Sequence, residues 1–194
     1  ALAFGQRLCS RVRCRPRFPR ERTIAAAAAA KKHARATRAV PIRMITVSKQ
    51  NDRESDAVTD SWTAKLRRYT AFEEVRVKAN PKGVDDPAAQ KEHEAERVLR
   101  HISARDFVVL LDERGKDYSS EDMADLLARA GDEGHAQLVF AIGGPFGHGS
   151  RMTERADAKV RLSKLVLNHQ VARIVTAEAL YRSWTILTGA PYHH

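Results

Sequence analysis

Residues 41–194 contain no cysteine; both cysteines of the 194-residue chain, Cys9 and Cys14, stand near its start. This excludes structural disulfides, thiolate zinc sites and cysteine nucleophiles from the larger part of the chain. No uninterrupted apolar run approaches the roughly 18 residues that a membrane-crossing helix needs. Nor do residues 41–194 carry an excess of charge. Of the 34 Lys and Arg and 24 Asp and Glu, eleven bases and one acid (Glu21) fall in residues 1–40, leaving 23 of each sign beyond them. The formal +10 therefore belongs to the first forty residues. If the remainder binds nucleic acid, it does so through a local basic face and not through bulk charge.

What is present at the start is arginine and alanine. Residues 7–22 hold seven arginines interleaved with Leu, Val, Phe, Cys, Pro, one Ser and one Glu, and six alanines follow from Ala25 to Ala30. An Arg-rich, acid-poor, Ala-rich stretch without a long apolar centre reads as an organellar targeting peptide and not as a secretory signal, although serine is scarce for one. The competing reading is a disordered basic arm that binds RNA phosphates. The boundary is expected near Pro41, giving 1–40 as the tail and 41–194 as one domain.

Within that domain, strands alternate with helices. Ile42–Val47 alternates apolar and polar residues, as a strand does. Val58, Trp62, Leu66 and Tyr69 recur at helical spacing over 56–69. Val75–Val77 is a short strand broken by Asn80-Pro81-Lys82-Gly83, and Pro87–His101 a charged helix. Phe107–Leu111 is apolar throughout, which suits a strand buried on both faces of a parallel sheet, and the polar run from Asp112 ends it. Ser119 or Ser120 caps a helix through Ala130. A strand over Gln137–Ile142 runs into Gly143-Gly144-Pro145-Phe146-Gly147. A helix over Met152–Val160, a strand over Leu162–Leu167 and a helix over Ala172–Leu187 complete the chain. The expected class is α/β, with a mostly parallel sheet flanked by helices.

In such sheets, ligands bind beyond the carboxyl ends of the strands. Three loops qualify: after Leu111, after Ile142, and around Leu167-Asn168-His169. If their strands are neighbours, the loops share one pocket. Gly143 and Gly144 permit a close backbone approach, yet the loop has neither the Lys-Ser/Thr of a Walker loop nor a Gly-x-Gly-x-x-Gly opening a helix. A plain tight turn is the alternative. In the last helix, Glu178 and Arg182 stand at i and i+4 in the favourable order for an ion pair, and a surface salt bridge is the bland account of them.

These pieces together resemble the RlmH (YbeA-like) branch of the SPOUT methyltransferases. The likeness rests on Leu110–Lys116, on Ile142–Gly147, on Leu162-Ser163-Lys164, on His169, Val171 and Arg173, on Ala177–Trp184, and on Pro191-Tyr192-His193. Val47-Ser48-Lys49 departs from the family's Gly-Lys, and Asn168 stands where a proline is common. The resemblance implies a C-terminal trefoil knot and a homodimer whose active sites are completed by the partner subunit. It implies S-adenosylmethionine held by Leu111, Gly143 and Leu162, Ser163, Lys164, Leu165, Val166 and Leu167, with no metal and no membrane. The implied reaction is methylation of N3 of a pseudouridine in large-subunit ribosomal RNA, free or in the assembled ribosome. The lack of cysteine is consistent with this, since methylation of a pyrimidine carbon through a cysteine adduct is excluded. The N3 proton must leave, which gives His193 the part of base. Arg182 would stabilise the developing anion, with Glu178 orienting it, and Tyr192 would stack on the base. With an Arg-rich leader the expected compartment is an organelle, the plastid in preference to the mitochondrion. The alternatives are a ribosome-associated RNA-binding protein that keeps the fold without catalysis, and a small-molecule methyltransferase.

Overall fold

The computed structural model describes residues 38–48, 52–80 and 82–191. Residues 1–37, which hold most of the expected leader, and Tyr192, His193 and His194 lie outside the described residues. Along the chain run β1 (Ile42–Ser48), α1 (Arg53–Leu66), β2 (Phe72–Lys78), α2 (Pro87–Leu99) and β3 (Phe107–Asp117). They are followed by α3 (Ser120–Asp132), β4 (Leu138–Ile142), α4 (Ser150–Arg155), β5 (Ala158–Arg161) and α5 (His169–Thr188). The strands form one sheet in the order β2-β1-β4-β3-β5, and every pairing is parallel.

Side chains of period two divide the core between the faces of this sheet. Ile42, Met44, Phe107, Val109, Leu138 and Phe140 meet Leu66 of α1, Leu127 of α3 and Leu180 of α5 on one side. Ile45, Val47, Val108, Leu110, Val139 and Ala141 meet Ala95 and Val98 of α2 and Met152 of α4 on the other. Burial on both faces is why β3 and β4 read as unbroken apolar runs. Helix starts follow local chemistry. Asp86 accepts from the N–H of Ala88 and Ala89 ahead of Pro87, Ser119 and Asp122 form a reciprocal capping box, and Asn168 accepts from the N–H of Val171 at 2.9 Å.

Four expectations are corrected. The stripe expected to bury α1 is rotated: Ser55, Thr59, Thr63 and Leu66 face the core and Val58 is exposed. The buried hydroxyls can be tolerated because the helix satisfies them itself, Thr59 Oγ1 donating to the Ser55 carbonyl at 2.7 Å. The helix expected to reach Val160 stops at Arg155. Asp157 then accepts from the Val108 N–H at 2.7 Å and ties the chain to the sheet, so 158–161 becomes the edge strand. Leu162–Leu167 is therefore a loop and not a strand. Ser163 Oγ accepts from the Leu165 N–H at 2.9 Å, turning the chain, and Leu165 and Val166 are exposed. The strand expected to end at Leu111 continues instead to Asp117 through a register shift opposite Val160.

A buried ion cluster seats α5. Arg173, 4 % exposed, donates through Nε and Nη2 to the Glu74 carboxylate at 2.7 and 3.0 Å and through Nη1 to Asp56 at 2.9 Å. Helix, second strand and first helix are thus joined by one guanidinium. Hydrogen bonding by Arg76, and then by Arg173, outweighs desolvation and holds the Asp56 carboxyl below its ordinary range.

Candidate ligand site

The three segments expected to converge do meet, although Leu111–Arg114 belong to β3, at its register shift, and not to a loop. Pairing of β4 with β3 and of β3 with β5 makes their strands neighbours. At their carboxyl ends lies a cavity of about 660 Å³, walled by Leu111–Arg114, Ile142–His148 and residues of the 161–169 loop, with Lys91 of α2 and Ala172 of α5 at its sides. That volume falls within the range of sites for small molecules and cofactors.

The glycine loop forms the middle wall. The Gly147 N–H donates to the Gly144 carbonyl at 3.0 Å, and Gly147 adopts φ +79°. A Cβ on Gly143 would stand 2.9 Å from the Gly147 carbonyl carbon, closer than real side chains come. The turn therefore requires glycine there, and it lays bare backbone along the cavity. Just beyond it, His148 donates from Nε2 to the Leu111 carbonyl at 3.1 Å, bracing the glycine loop against β3 where its register shifts. Burial disfavours the charged ring and lowers its pKa; the Leu111 hydrogen bond opposes this without overcoming it. His148 follows the loop directly in sequence, but only the fold reveals the brace. The third wall is the corrected loop, with apolar Leu162, Leu165, Val166 and Leu167 turned to the cavity.

Of the residues expected around a cofactor, Leu111, Gly143, Leu162, Ser163, Leu165, Val166 and Leu167 all line this cavity. Lys164 is not in the wall; it is exposed and adds positive potential at Asp117, which Arg161 already binds through two bonds of 2.7 Å. Glu178 and Arg182 are elsewhere. Arg182 donates to Glu178 Oε1 from Nη2 at 2.6 Å and from Nε at 3.0 Å, a half-buried pair. Ala172 of the cavity wall and Arg182 share α5, but ten residues of helix separate them, about 15 Å along the axis. Tyr192 and His193 lie outside the described residues. Among the described residues, no group of three or more His, Cys, Asp or Glu could hold a metal ion, and no helix is long and apolar enough to cross a membrane.

Comparison with known proteins matches this chain to a family. Residues 40–193 fit the family model described as predicted SPOUT methyltransferase. A protein of Arabidopsis thaliana named as an RNA methyltransferase is 47% identical over 159 residues, covering 82% of this chain and 82% of that protein. The ribosomal RNA large subunit methyltransferase H of Christiangramia forsetii is 37% identical over 154 residues, 79% of this chain and 98% of the relative. The protein of the same name from Solidesulfovibrio magneticus is 39% identical over 154 residues, 79% and 99% respectively.

Proposed function

The chain belongs to the SPOUT methyltransferase family, and from that premise we propose that it is an RNA methyltransferase acting on N3 of a pseudouridine in large-subunit ribosomal RNA, with S-adenosylmethionine as methyl donor. The observation that carries this reading is the meeting of the loops after β4 and β5 with the shifted middle of β3, around a cofactor-sized cavity whose central wall is glycine backbone. The residues present fit such a donor. Exposed glycine backbone can hydrogen-bond a polar ligand closely, and Leu162, Leu165, Val166 and Leu167 offer the apolar surface that a purine ring needs.

When bound, the donor supplies a methyl group already activated by a sulfonium. The protein's own task is then alignment and removal of the N3 proton. His193 accepts that proton. Arg182, held by its two bonds to Glu178, stabilises the imide anion as it develops. Tyr192 stacks on the base. Because about 15 Å of α5 lie between the cavity and Arg182, one chain does not bring these parts together along that helix. The proposed enzyme is a homodimer in which the cavity of one protomer faces Arg182 of its partner, and the trefoil knot general to the family fixes the C-terminal segment. The substrate is the large subunit of an organellar ribosome, of the plastid in preference to the mitochondrion, and residues 1–40 serve as the address.

The same separation favours a second reading, a ribosome-associated RNA-binding protein that keeps the fold without catalysis. Titration calorimetry with S-adenosylmethionine separates the two. Saturable binding at micromolar concentrations is expected, and no heat at millimolar donor would contradict the methyltransferase. Methyl transfer to purified large subunits but not to free metabolites is expected next. Loss of the methyl mark from plastid and not mitochondrial ribosomal RNA, in a line lacking the protein, tests the compartment.

A further inference from the structure

Behind the glycine loop lies a buried carboxylate with one oxygen held by the fold and the other left over. Glu94 of α2 is 3 % exposed. Its Oε1 accepts from the Asn80 backbone N–H at 2.7 Å and from Gln90 Nε2 at 2.8 Å. Its Oε2 is buried and has no hydrogen-bond partner among the described residues. That second oxygen is aimed at the loop: a Cβ on Gly144 would lie 2.6 Å from it, with Val47 closing the same space at 3.3 Å.

Leaving a buried acceptor half-satisfied opposes folding, and an apolar residue in the interior would avoid that penalty. Asn80 and Gln90 fix one oxygen, so the other is held against Gly144. Gly144 is itself part of the cavity wall. The carboxylate is thus one backbone thickness from any ligand there, on the side that water does not reach. Asp112 and Glu113 also line the cavity, but both contact solvent, which screens them. The cations on the wall are Lys91, Arg114 and Arg161, and Arg161 is already bound to Asp117.

We propose that Glu94 selects the ligand by charge: its buried carboxylate favours a sulfonium or ammonium beside Gly144 over a neutral thioether of the same shape. The inference rests on the reading of the cavity as the methyl-donor site. Glu94 acts across the loop and touches no reacting atom, so it is a specificity-determining residue and not a catalytic one. Its consequence is directional. Transfer of the methyl group turns the sulfonium into a thioether, and the attraction that favours the donor disappears from the product. At an effective dielectric of about 20, unit charges within roughly 12 Å of one another attract by an amount that corresponds to about tenfold in affinity.

The test is calorimetry of the full chain with three probes: S-adenosylmethionine, its amine-bearing analogue sinefungin, and neutral S-adenosylhomocysteine. Glu94→Gln keeps the shape and removes the charge. It should weaken the two cationic probes about tenfold and the thioether less than twofold, with the melting temperature recorded alongside. Equal weakening of all three, the mark of a merely structural role, overturns the proposal, and so does an unchanged ratio. Gln90→Lys gives a second route should the first variant not fold, since it keeps the carboxylate but pairs it one turn away. The cationic-to-neutral ratio should narrow in the same sense, and an unaltered ratio in that folded variant also overturns the proposal. Wild-type protein that binds none of the probes instead contradicts the methyl-donor reading, and this inference falls with it.

Discussion

The two ends of α5 are built differently. At its start, the helix closes a cavity whose recognition surface is glycine backbone and aliphatic side chain, with His148 and buried Glu94 behind it. About 15 Å further on, the helix carries a charged pair, Arg182 held by Glu178. The first end has the makings of a place to hold something of fixed shape. The second has the makings of a place to meet developing charge. One helix bearing both, too far apart to serve the same molecule, suits a reaction whose donor and acceptor are held by different protomers.

The sharpest way to break this comparison is to damage each end separately. Arg182→Ala should lower turnover about a hundredfold to a thousandfold while leaving donor affinity within about twofold. Loss of affinity on the same scale would show that the two ends are not distinct. Gly143→Val should do the reverse, weakening donor binding by roughly a hundredfold or more. A β-branched side chain in a turn where even a Cβ meets backbone at 2.9 Å forces the wall to move. Calorimetry checks both.

Weaker effects sharpen the comparison. Arg173 lies between the two ends and serves neither; its bonds to Glu74 and Asp56 fix the helix. Arg173→Ala removes the guanidinium that joins α5 to β2 and α1, leaves Arg76 alone beside both carboxylates, and should cost about 1–3 kcal/mol in a denaturant melt. Asp56, whose pKa is lowered on folding, contributes stability that is present above its unfolded value near 3.8 and is lost as pH falls through its folded value. The wild type should therefore lose stability below about pH 4, and Asp56→Asn should lose less of it there. The smallest effect belongs to His148. Its folded pKa is lowered, so the unfolded chain takes up the proton first. Its contribution is full above the unfolded value of 6.5 and declines as the solution is acidified toward the folded one. His148→Asn should flatten the fall in melting temperature below that pH, and an equally steep fall would contradict a ring whose charged form the fold disfavours.

Much of the cavity end was legible in the sequence because parallel strands and their ends leave local marks. Phe107–Leu111 and Leu138–Ile142 are buried on both faces, so they read as apolar runs. Gly143 and Gly144 follow directly because a wall of backbone excludes side chains. The loop at 162–167 was misread as a strand for a related reason. Apolar residues that line a cavity have the same composition as apolar residues that line a sheet, and only the absence of a pairing partner tells them apart. The stripe on α1 was misplaced because Thr59 and Thr63 bury hydroxyls that the helix itself satisfies. The long-range contacts left no local trace. Arg173 meets Glu74 from 99 positions away, and Glu94 reaches Gly144 only because α2 packs beneath the sheet's carboxyl edge. The pairing of Glu178 with Arg182 was plain from its i, i+4 spacing, but its distance from the cavity became apparent only with the fold.

Subunit mixing tests most directly whether the two ends of α5 act across protomers. Gly143→Val and Arg182→Ala proteins, each inactive alone, should be unfolded and refolded together in equal amounts. In a twofold dimer with shared sites, half the dimers are mixed, and each carries one site with an intact cavity from one chain and an intact Arg182 from the other. Methyl transfer to large ribosomal subunits should then return to about a quarter of the wild-type rate. Activity that stays at the level of the separate variants would contradict the account.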